Sequence, residues 1–154
     1  MDEVIVRWFQ PQDAEAVVRL HDENKEWFEE LTLTKDFVVE CSQRSDFRMM
    51  VAEQNGIILG FIGALFFESV GRAEIGPIST SQNFKDQGVG SRLLSSMIEF
   101  LKTIGIHRII AHVKANNLNA IKFFLNNGFT FEAYLAQYTK KREDVMQMLY
   151  LIRP

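Results

Sequence analysis

Near the middle of the chain the sequence reads Phe84-Lys85-Asp86-Gln87-Gly88-Val89-Gly90-Ser91. A β-rich run over residues 72–80 precedes this stretch, and apolar residues at helical spacing follow it from Leu93 to Ile104. The first amides of a helix have no partner within the helix, and the helix dipole attracts negative charge to them. Glycines let a ligand come close to the backbone. The stretch therefore predicts an anion site that suits a phosphate or pyrophosphate, with a plain turn as the alternative.

Two common nucleotide-binding motifs do not match this stretch. A Walker A loop needs Lys and then Ser or Thr after its second glycine, whereas Ser91-Arg92 follow Gly90. A dinucleotide fingerprint needs a third glycine, and Leu93 stands at that position. The glycines therefore indicate an anion site of another kind.

The rest of the chain predicts strands over residues 4–9, 47–53, 57–67, 106–113, 129–138 and 145–152. A helix is expected to open at Pro11, a second to be capped by Thr34, and a later one to follow the asparagines at 116–119. Asn55-Gly56 between two apolar runs is typical of a hairpin turn. We expect an α/β protein of the α+β type, with a mixed, mostly antiparallel central sheet of about seven strands flanked by about four helices. A single domain over residues 1–154 is predicted.

Gly76 and Pro77 interrupt the predicted strand over residues 72–80. Proline has no N–H to donate to a neighbouring strand. We therefore expect this strand to bulge, or to lose a neighbour, near these two residues.

The composition excludes several classes of protein. Lys and Arg number 17 against 20 Asp and Glu, and the net charge of −3 argues against nucleic acid as a partner. Cys41 is the single cysteine, which excludes an internal disulfide and a cysteine-rich zinc site. The longest apolar stretch, Ile57–Phe67, is much shorter than the roughly 20 residues of a membrane span. We expect a cytoplasmic protein with no metal and no membrane partner.

Two motifs give the second half of the chain a specific resemblance. The first is Lys85-x-x-Gly88-x-Gly90, which opens the central helix. The second reads Asn117-Leu118-Asn119-Ala120-Ile121-Lys122-Phe123-Phe124-Leu125-Asn126-Asn127-Gly128-Phe129. In this order, with a strand between them, they resemble the GNAT acetyltransferase superfamily, whose patterns are Arg/Gln-x-x-Gly-x-Gly/Ala and Asn-x-x-Ala-Ile-x-x-Tyr-x-x-x-Gly-Phe. The resemblance is good over residues 47–152, while the first 46 residues match in outline.

The resemblance implies acetyl-CoA as the cosubstrate and assigns residues to it. Backbone groups of Ile78, Ser79 and Thr80 would bind the pantetheine like an added strand. The pyrophosphate would be held by the loop residues Lys85, Asp86, Gln87, Gly88, Val89, Gly90 and Ser91. Asn117 and Asn119 would contact the cofactor, and the ring of Phe124 would lie beside the thioester.

Three residues depart from the family pattern. Lys85 replaces the usual Arg or Gln and keeps a charge without the bidentate guanidinium. Asp86 brings a negative charge beside the expected pyrophosphate. Phe124 stands where many members have a tyrosine that protonates the departing thiolate, and phenylalanine has no proton to give.

Glu74 is the predicted general base. It lies fourteen residues before Gly88, an offset at which the resemblance to the histone acetyltransferase branch places a catalytic glutamate. The alternative is a strand glutamate that faces water or pairs with Arg72. His112 is an alternative base or a structural residue. Tyr138 and Tyr134 either supply the missing acid, line the acceptor pocket or pack against the strands.

The loop over residues 26–30 is the predicted acceptor site. Trp27 and Phe28 would form aromatic walls, and Glu30 would attract a cationic amine; a solvated loop is the alternative. The resemblance implies an N-acetyltransferase that moves the acetyl group directly to a primary amine of a protein N-terminus, a lysine, a polyamine or another small molecule. A non-catalytic acyl-CoA-binding or regulatory module is the alternative function. A homodimer through the final strands is compatible with the sequence.

Overall fold

A seven-stranded sheet organises the part of the chain that the computed structural model describes, which comprises residues 3–28, 33–82 and 88–154. The strands are β1 (Ile5–Trp8), β2 (Phe47–Gln54), β3 (Ile57–Phe67), β4 (Arg72–Thr80), β5 (Arg108–Lys114), β6 (Thr130–Leu135) and β7 (Val145–Leu151). Their order across the sheet is β1-β2-β3-β4-β5-β7-β6. The β4–β5 pair is parallel and the other neighbours are antiparallel, which confirms the predicted mixed, mostly antiparallel sheet.

Helices cover both faces of this sheet. They are α1 (Ala14–Glu23), α2 (Lys35–Ser42), α3 (Val89–Thr103) and α4 (Leu118–Asn126). The apolar stripe of α3, with Leu93, Met97 and Leu101, packs on one face in the larger core. Val17 and Val38 of α1 and α2 pack on the opposite face over β2 and β3. Because β3 is covered on both faces, it is an almost continuous apolar run rather than an alternating one.

The predicted elements near the hairpins are mostly confirmed. Asn55 and Gly56 both adopt positive φ, at 54° and 78°, and join β2 to β3 in a tight turn. The predicted strand over residues 129–138 is shorter than expected, because it ends at Leu135 and the residues up to 144 form a loop. Between α1 and α2, residues Lys25–Trp27 form a 3-10 turn.

Strands β4 and β5 separate at the predicted interruption. Their parallel register runs from Arg72 opposite Arg108 to Ile75 opposite Ala111. Beyond Gly76-Pro77, β4 continues beside β3 as far as Thr80, with a shift of register in β3 between Ile62 and Ala64. Both the expected bulge and the expected loss of a neighbour are therefore present. The separation opens a gap in the middle of the sheet.

A charged cluster fixes the first strand to the sheet. Arg7 on β1 donates two hydrogen bonds to the Asp13 carboxylate, at 2.8 and 2.9 Å, and one to Glu53 on β2 at 2.7 Å. Asp13 is 4% exposed and also accepts from the Gln10 amide at 2.8 Å. Burial raises the pKa of Asp13, but the hydrogen bonds from Arg7 and Gln10 outweigh it and bring the pKa below its ordinary value.

We expect Asp13→Asn to lower the free energy of unfolding by about 2 kcal/mol near neutral pH, because it removes charge-assisted hydrogen bonds at a buried site. Since the pKa of Asp13 is lower in the folded state, this stabilisation is full above its ordinary value of 3.8 and disappears as the pH falls through the folded-state pKa. Urea unfolding at a series of pH values measures it.

The matched control for this prediction is Asp46→Asn. The Asp46 side chain is 37% exposed and pairs with Arg44 two residues away near the surface, so its replacement should change the free energy of unfolding little. An equal, pH-independent loss for both variants would contradict the assignment of Asp13.

Candidate active site

A cleft of about 560 Å³ lies where β4 and β5 separate. This volume is in the range of small-molecule and cofactor sites. The described residues that line it are Asn24, Trp27, Phe28, Ile75, Gly76, Pro77, Ile78, Ser79, Thr80, Gly88, Val89, Gly90, Ser91, Ala111, His112, Val113, Lys114, Asn117, Asn119, Ala120, Phe123 and Phe124. The structure therefore brings most of the predicted cofactor residues to one place.

The N-terminus of α3 opens into the cleft. Gly88 has a φ of 79°, a conformation that glycine adopts without strain, and the first bond of the helical ladder runs from the Arg92 amide to the Gly88 carbonyl oxygen at 3.0 Å. The amides of Val89, Gly90 and Ser91 precede that bond and have no partner within the helix, so in the described part of the chain they suit an anion. The predicted loop residues Lys85, Asp86 and Gln87 lie outside the described residues.

Gly90 allows α4 to approach this end of α3. A Cβ atom at Gly90 would lie 3.2 Å from the Phe123 ring, which is tighter than ordinary van der Waals contact. The second glycine of the motif thus serves helix packing as well as access to the backbone.

The free edge of β4 forms one wall of the cleft. The Ser81 amide donates to Leu59 on β3 at 2.7 Å, and Ser79 pairs with Phe61 in the same register. Since backbone groups alternate along a strand, the amide and carbonyl groups of Ile78 and Thr80 point away from β3 and towards the cleft. The Thr80 carbonyl accepts from Asn24 at 3.2 Å. The peptide groups of Ile78 therefore suit a ligand that adds itself like a strand.

The Ser79 side chain has a structural part in this wall. It is buried, its hydroxyl donates to the Leu20 carbonyl oxygen at 3.0 Å, and it accepts from the Asn24 amide at 2.6 Å. These bonds attach α1 to β4 directly beside the cleft. The backbone of Ser79, which the resemblance assigned to the pantetheine, faces β3 instead, because it alternates with the backbone groups of Ile78 and Thr80.

Helix α4 supplies the opposite wall. The Asn117 side chain accepts from the Ala120 amide at 3.2 Å, so it caps the helix at the cleft, and Asn119 also lines the cleft. Phe124 is 4% exposed and packs edge-on against Phe123 and Phe129, with ring centroids 5.3 and 5.0 Å apart. This wall is therefore largely apolar at the predicted position of the thioester.

Trp27 and Phe28 line the end of the cleft beside α1. The Phe28 ring stacks on the buried His21 ring, with centroids 4.5 Å apart. The predicted contact at Glu30 lies outside the described residues. Trp27 and Phe28 thus lie in the cleft, and their contact with an acceptor stays a prediction.

At the end of the cleft beside α1, Lys114 connects the loop that follows α1 to the loop between β6 and β7. Its ammonium donates to the Glu26 carbonyl oxygen at 2.8 Å and lies 3.1 Å from the Glu143 carboxylate in the loop between β6 and β7. The hydrogen bond from Lys114 holds the pKa of Glu143 below its ordinary value. Lys114 therefore fixes the spacing between the aromatic wall and the last hairpin.

Glu74 contacts the cleft indirectly, through His112. It is not among the lining residues, and its carboxylate oxygen Oε1 lies 3.2 Å from Nδ1 of His112, which does line the cleft. The Tyr138 ring packs edge-on against His112 with centroids 5.1 Å apart, and it is half exposed. The structure thus brings Glu74, His112 and Tyr138 together and makes His112 the group at the cleft.

The alternation of side chains along β4 and β5 indicates why Glu74 and His112 lie together. Glu74 lies opposite Ile110, so His112, two residues along β5, points to the same face. Knowledge of the β4–β5 register would have placed the two side chains together, but the sequence does not state that register.

Tyr134 lies away from the cleft. It is 58% exposed, and its hydroxyl donates to the Asp144 carboxylate, which also accepts from the Gln137 amide at 2.8 Å. The hydrogen bond to Asp144 raises the pKa of Tyr134. This position favours a role in holding the last hairpin and does not support the predicted catalytic role.

The described lining residues carry two titratable side chains, His112 and Lys114, and both are basic. Within the described ranges, no group of three or more His, Cys, Asp or Glu side chains could hold a metal ion. No described helix has the length and apolar character needed to cross a bilayer.

We expect Lys114→Met to free both loops, because it removes the ammonium and keeps much of the aliphatic chain. Hydrogen exchange should become faster at the amides of Trp27 and Phe28 and at Tyr138, which are protected by bonds within these loops. Lys122→Met, at an exposed position of α4, is the control and should leave those rates unchanged. Equal rates in wild type and Lys114→Met would contradict the proposed spacing role.

The chain matches the model of the acetyltransferase (GNAT) family over residues 8–129. A comparison with curated proteins finds no significant match.

Solved structures share the fold over nearly the whole chain. Ard1 from Thermoplasma volcanium is 23% identical, with a TM-score of 0.85 over 98% of this chain and 99% of that one. The putative acetyltransferase yncA from Salmonella typhimurium, solved with its cofactor acetyl-CoA, is 20% identical, with a TM-score of 0.85 over 97% and 94%. Spermidine N-acetyltransferase from Vibrio cholerae, in complex with CoA and spermine, is 19% identical, with a TM-score of 0.84 over 96% and 95%. At these identities the likeness concerns the fold.

Proposed function

The chain belongs to the GNAT acetyltransferase family, and we propose that it transfers the acetyl group of acetyl-CoA to a primary amine. The observation that carries the proposal is the separation of β4 and β5 against the N-terminus of α3. The proposal is supported by a helix N-terminus, an open strand edge and a histidine–carboxylate pair that lie around one cleft.

The residues of the cleft fit the parts of acetyl-CoA. The amides of Val89, Gly90 and Ser91 suit a pyrophosphate, since helix N-termini bind anions through backbone N–H groups. The peptide groups of Ile78 suit the amides of a pantetheine chain. The apolar ring of Phe124 excludes water from the thioester end.

The reaction needs a base, because an ammonium ion has no lone pair with which to attack a carbonyl carbon. We assign this role to the Glu74–His112 pair, which takes a proton from the ammonium group. The amine nitrogen then bonds to the acetyl carbon, the carbon–sulfur bond breaks, and the thiolate leaves with the bonding electrons. The amide nitrogen loses its extra proton to solvent, and the thiolate takes a proton from solvent, because Phe124 has none to give.

The acceptor is proposed as a primary amine attached to an apolar group. Trp27 and Phe28 offer aromatic surface for such a group. His112 and Lys114 are basic, so the described part of the cleft favours an acceptor with one amine over a polycation. Peptides with free N-termini, monoamines and spermine are the acceptors that separate these classes.

Ser91→Glu tests the anion site. The variant places a negative charge among the amides that would hold the pyrophosphate. We therefore expect the Kd for acetyl-CoA to rise by at least tenfold from a wild-type value of about 1 μM, which corresponds to a binding free energy of about −8 kcal/mol. Calorimetric titration with acetyl-CoA, CoA and 3′,5′-ADP measures it. Ser95→Glu adds the same charge one turn further along α3, at an exposed position, and should bind as the wild type does. Absence of wild-type binding at millimolar ligand would overturn the proposal.

His112→Asn and Glu74→Gln test the base. Each should lower kcat by about 10²–10⁴-fold without changing the Kd for acetyl-CoA, because the pair acts on the amine. Release of CoA, followed with the panel of amines, measures turnover. Wild-type binding of acetyl-CoA without turnover on any amine would support the acyl-CoA-binding module instead.

A further inference from the structure

A chain of hydrogen bonds runs from the rim of the sheet to His112. Arg108 on β5 donates to Glu132 on β6 at 2.5 Å, and the Gln147 amide nitrogen on β7 donates to the other Glu132 oxygen at 2.7 Å. The Gln147 oxygen Oε1 then lies 2.8 Å from Nε2 of His112. Together with Glu74, the chain spans the four neighbouring strands β4, β5, β7 and β6.

The chemistry of the partners fixes the orientation of the Gln147 amide. Arg108 keeps a positive charge beside Glu132, so Glu132 is held as a carboxylate, and a carboxylate can only accept hydrogen bonds. The end of the Gln147 amide that faces Glu132 must therefore be the nitrogen. Its other end, which faces His112, must be the oxygen.

This orientation determines where His112 carries its protons. Because Oε1 of Gln147 is an acceptor, Nε2 of His112 must be an N–H donor. Nδ1 faces the Glu74 carboxylate at 3.2 Å, so a second proton is stabilised there. The two acceptors thus favour the doubly protonated ring, in which Nε2 keeps its proton and Nδ1 is the nitrogen that can lose one.

We propose that Gln147, Glu132 and Arg108 are positioning residues that lock the proton on Nε2 of His112 and make Nδ1, beside Glu74, the site of proton exchange. The kinetic consequence rests on the proposed acetyl transfer, whereas the protonation state does not. The pair must lose the Nδ1 proton before transfer and regains it from the ammonium group. This fixed position of the Nε2 proton, called the lock below, therefore raises the pH at which activity increases.

Other groups around the ring modify this charge balance. Tyr138 from the loop between β6 and β7 contacts the ring edge-on, and Lys114 follows on β5, where it pairs with Glu143. Glu74 and Gln147 supply the acceptors that face the two nitrogens. The two acceptors favour the protonated ring, and the paired Lys114 opposes it less than a free ammonium would.

Gln147→Met is the decisive variant, because it keeps the length of the side chain and removes the acceptor. Long-range ¹H–¹⁵N spectra of histidine-labelled protein, from about pH 5 to about pH 9, report which ring nitrogen is protonated. In the wild type we expect Nε2 to stay protonated while Nδ1 titrates. In Gln147→Met we expect titration about one pH unit lower, as expected for the loss of one charge-assisted hydrogen bond, and a mixture of tautomers.

Two further variants keep the test interpretable. Glu132→Gln retains an acceptor near Gln147 but weakens the bond from Arg108, so it should give a smaller shift in the same direction. Gln43→Met is the control at an exposed, distant position and should match the wild type. Disappearance of the His112 signals in His112→Asn assigns them among the three histidines. Thermal unfolding of each variant confirms that it is folded.

The pH profile of kcat/KM for the acceptor supplies the kinetic readout. In Gln147→Met the pH at which kcat/KM rises should be lower by the same interval as the titration seen in the spectra, with KM for acetyl-CoA unchanged. A residue with a merely structural role would not shift the pH profile in this way.

A wild-type ring with Nδ1 protonated and Nε2 bare, or identical spectra in Gln147→Met, would overturn the lock. An unshifted profile beside shifted spectra would overturn its kinetic role, and absence of turnover would refute the proposed function while the spectra still decide the lock.

Discussion

Strands β4 and β5 pair through Ile75 and Ala111 and then separate, and the candidate site depends on this separation. Pro77 cannot donate to a neighbouring strand, so the interruption is a consequence of its covalent structure. Because β4 stays attached to β3, its other edge remains open. The N-terminus of α3 and the start of α4 lie along the opening, which turns a break in a sheet into a cleft with polar backbone groups on one side and aromatic rings on the other.

The two sides of the opening have different physical characters. Beside α3 and α4, recognition depends on backbone amides, helix ends and close packing of rings, as at Gly90 and Phe123. Such groups suit an extended anionic ligand, and they do not titrate near neutral pH. On the opposite face of the sheet, the side chains of Glu74, His112 and Lys114 can gain, lose or pair charges. The groups proposed to bind the cofactor and those proposed to transfer the proton thus meet at one cleft from opposite faces of the sheet.

Phe124 illustrates how this separation accommodates a departure from the family pattern. Its ring is buried between Phe123 and Phe129, where a hydroxyl group would need a hydrogen-bond partner to offset its desolvation. Phenylalanine makes the wall apolar and continuous. The proton chemistry of the proposed reaction is then concentrated in the Glu74–His112 pair, and the lock through Gln147 gives that pair a defined starting state.

The sequence by itself determined most of the elements and predicted the anion site, because helical periodicity, the Asn55-Gly56 turn and the glycines before α3 are local signals. It also located the break at Gly76-Pro77 and the aromatic residues Trp27 and Phe28. Only the tertiary structure decided that Glu74 meets His112, that Tyr134 turns to Asp144, and that Arg108, Glu132 and Gln147 form one chain. Spacing along a strand tells which face a side chain points to, but contacts between strands depend on register. For β4, β5, β7 and β6 that register is set by packing of segments far apart in the chain.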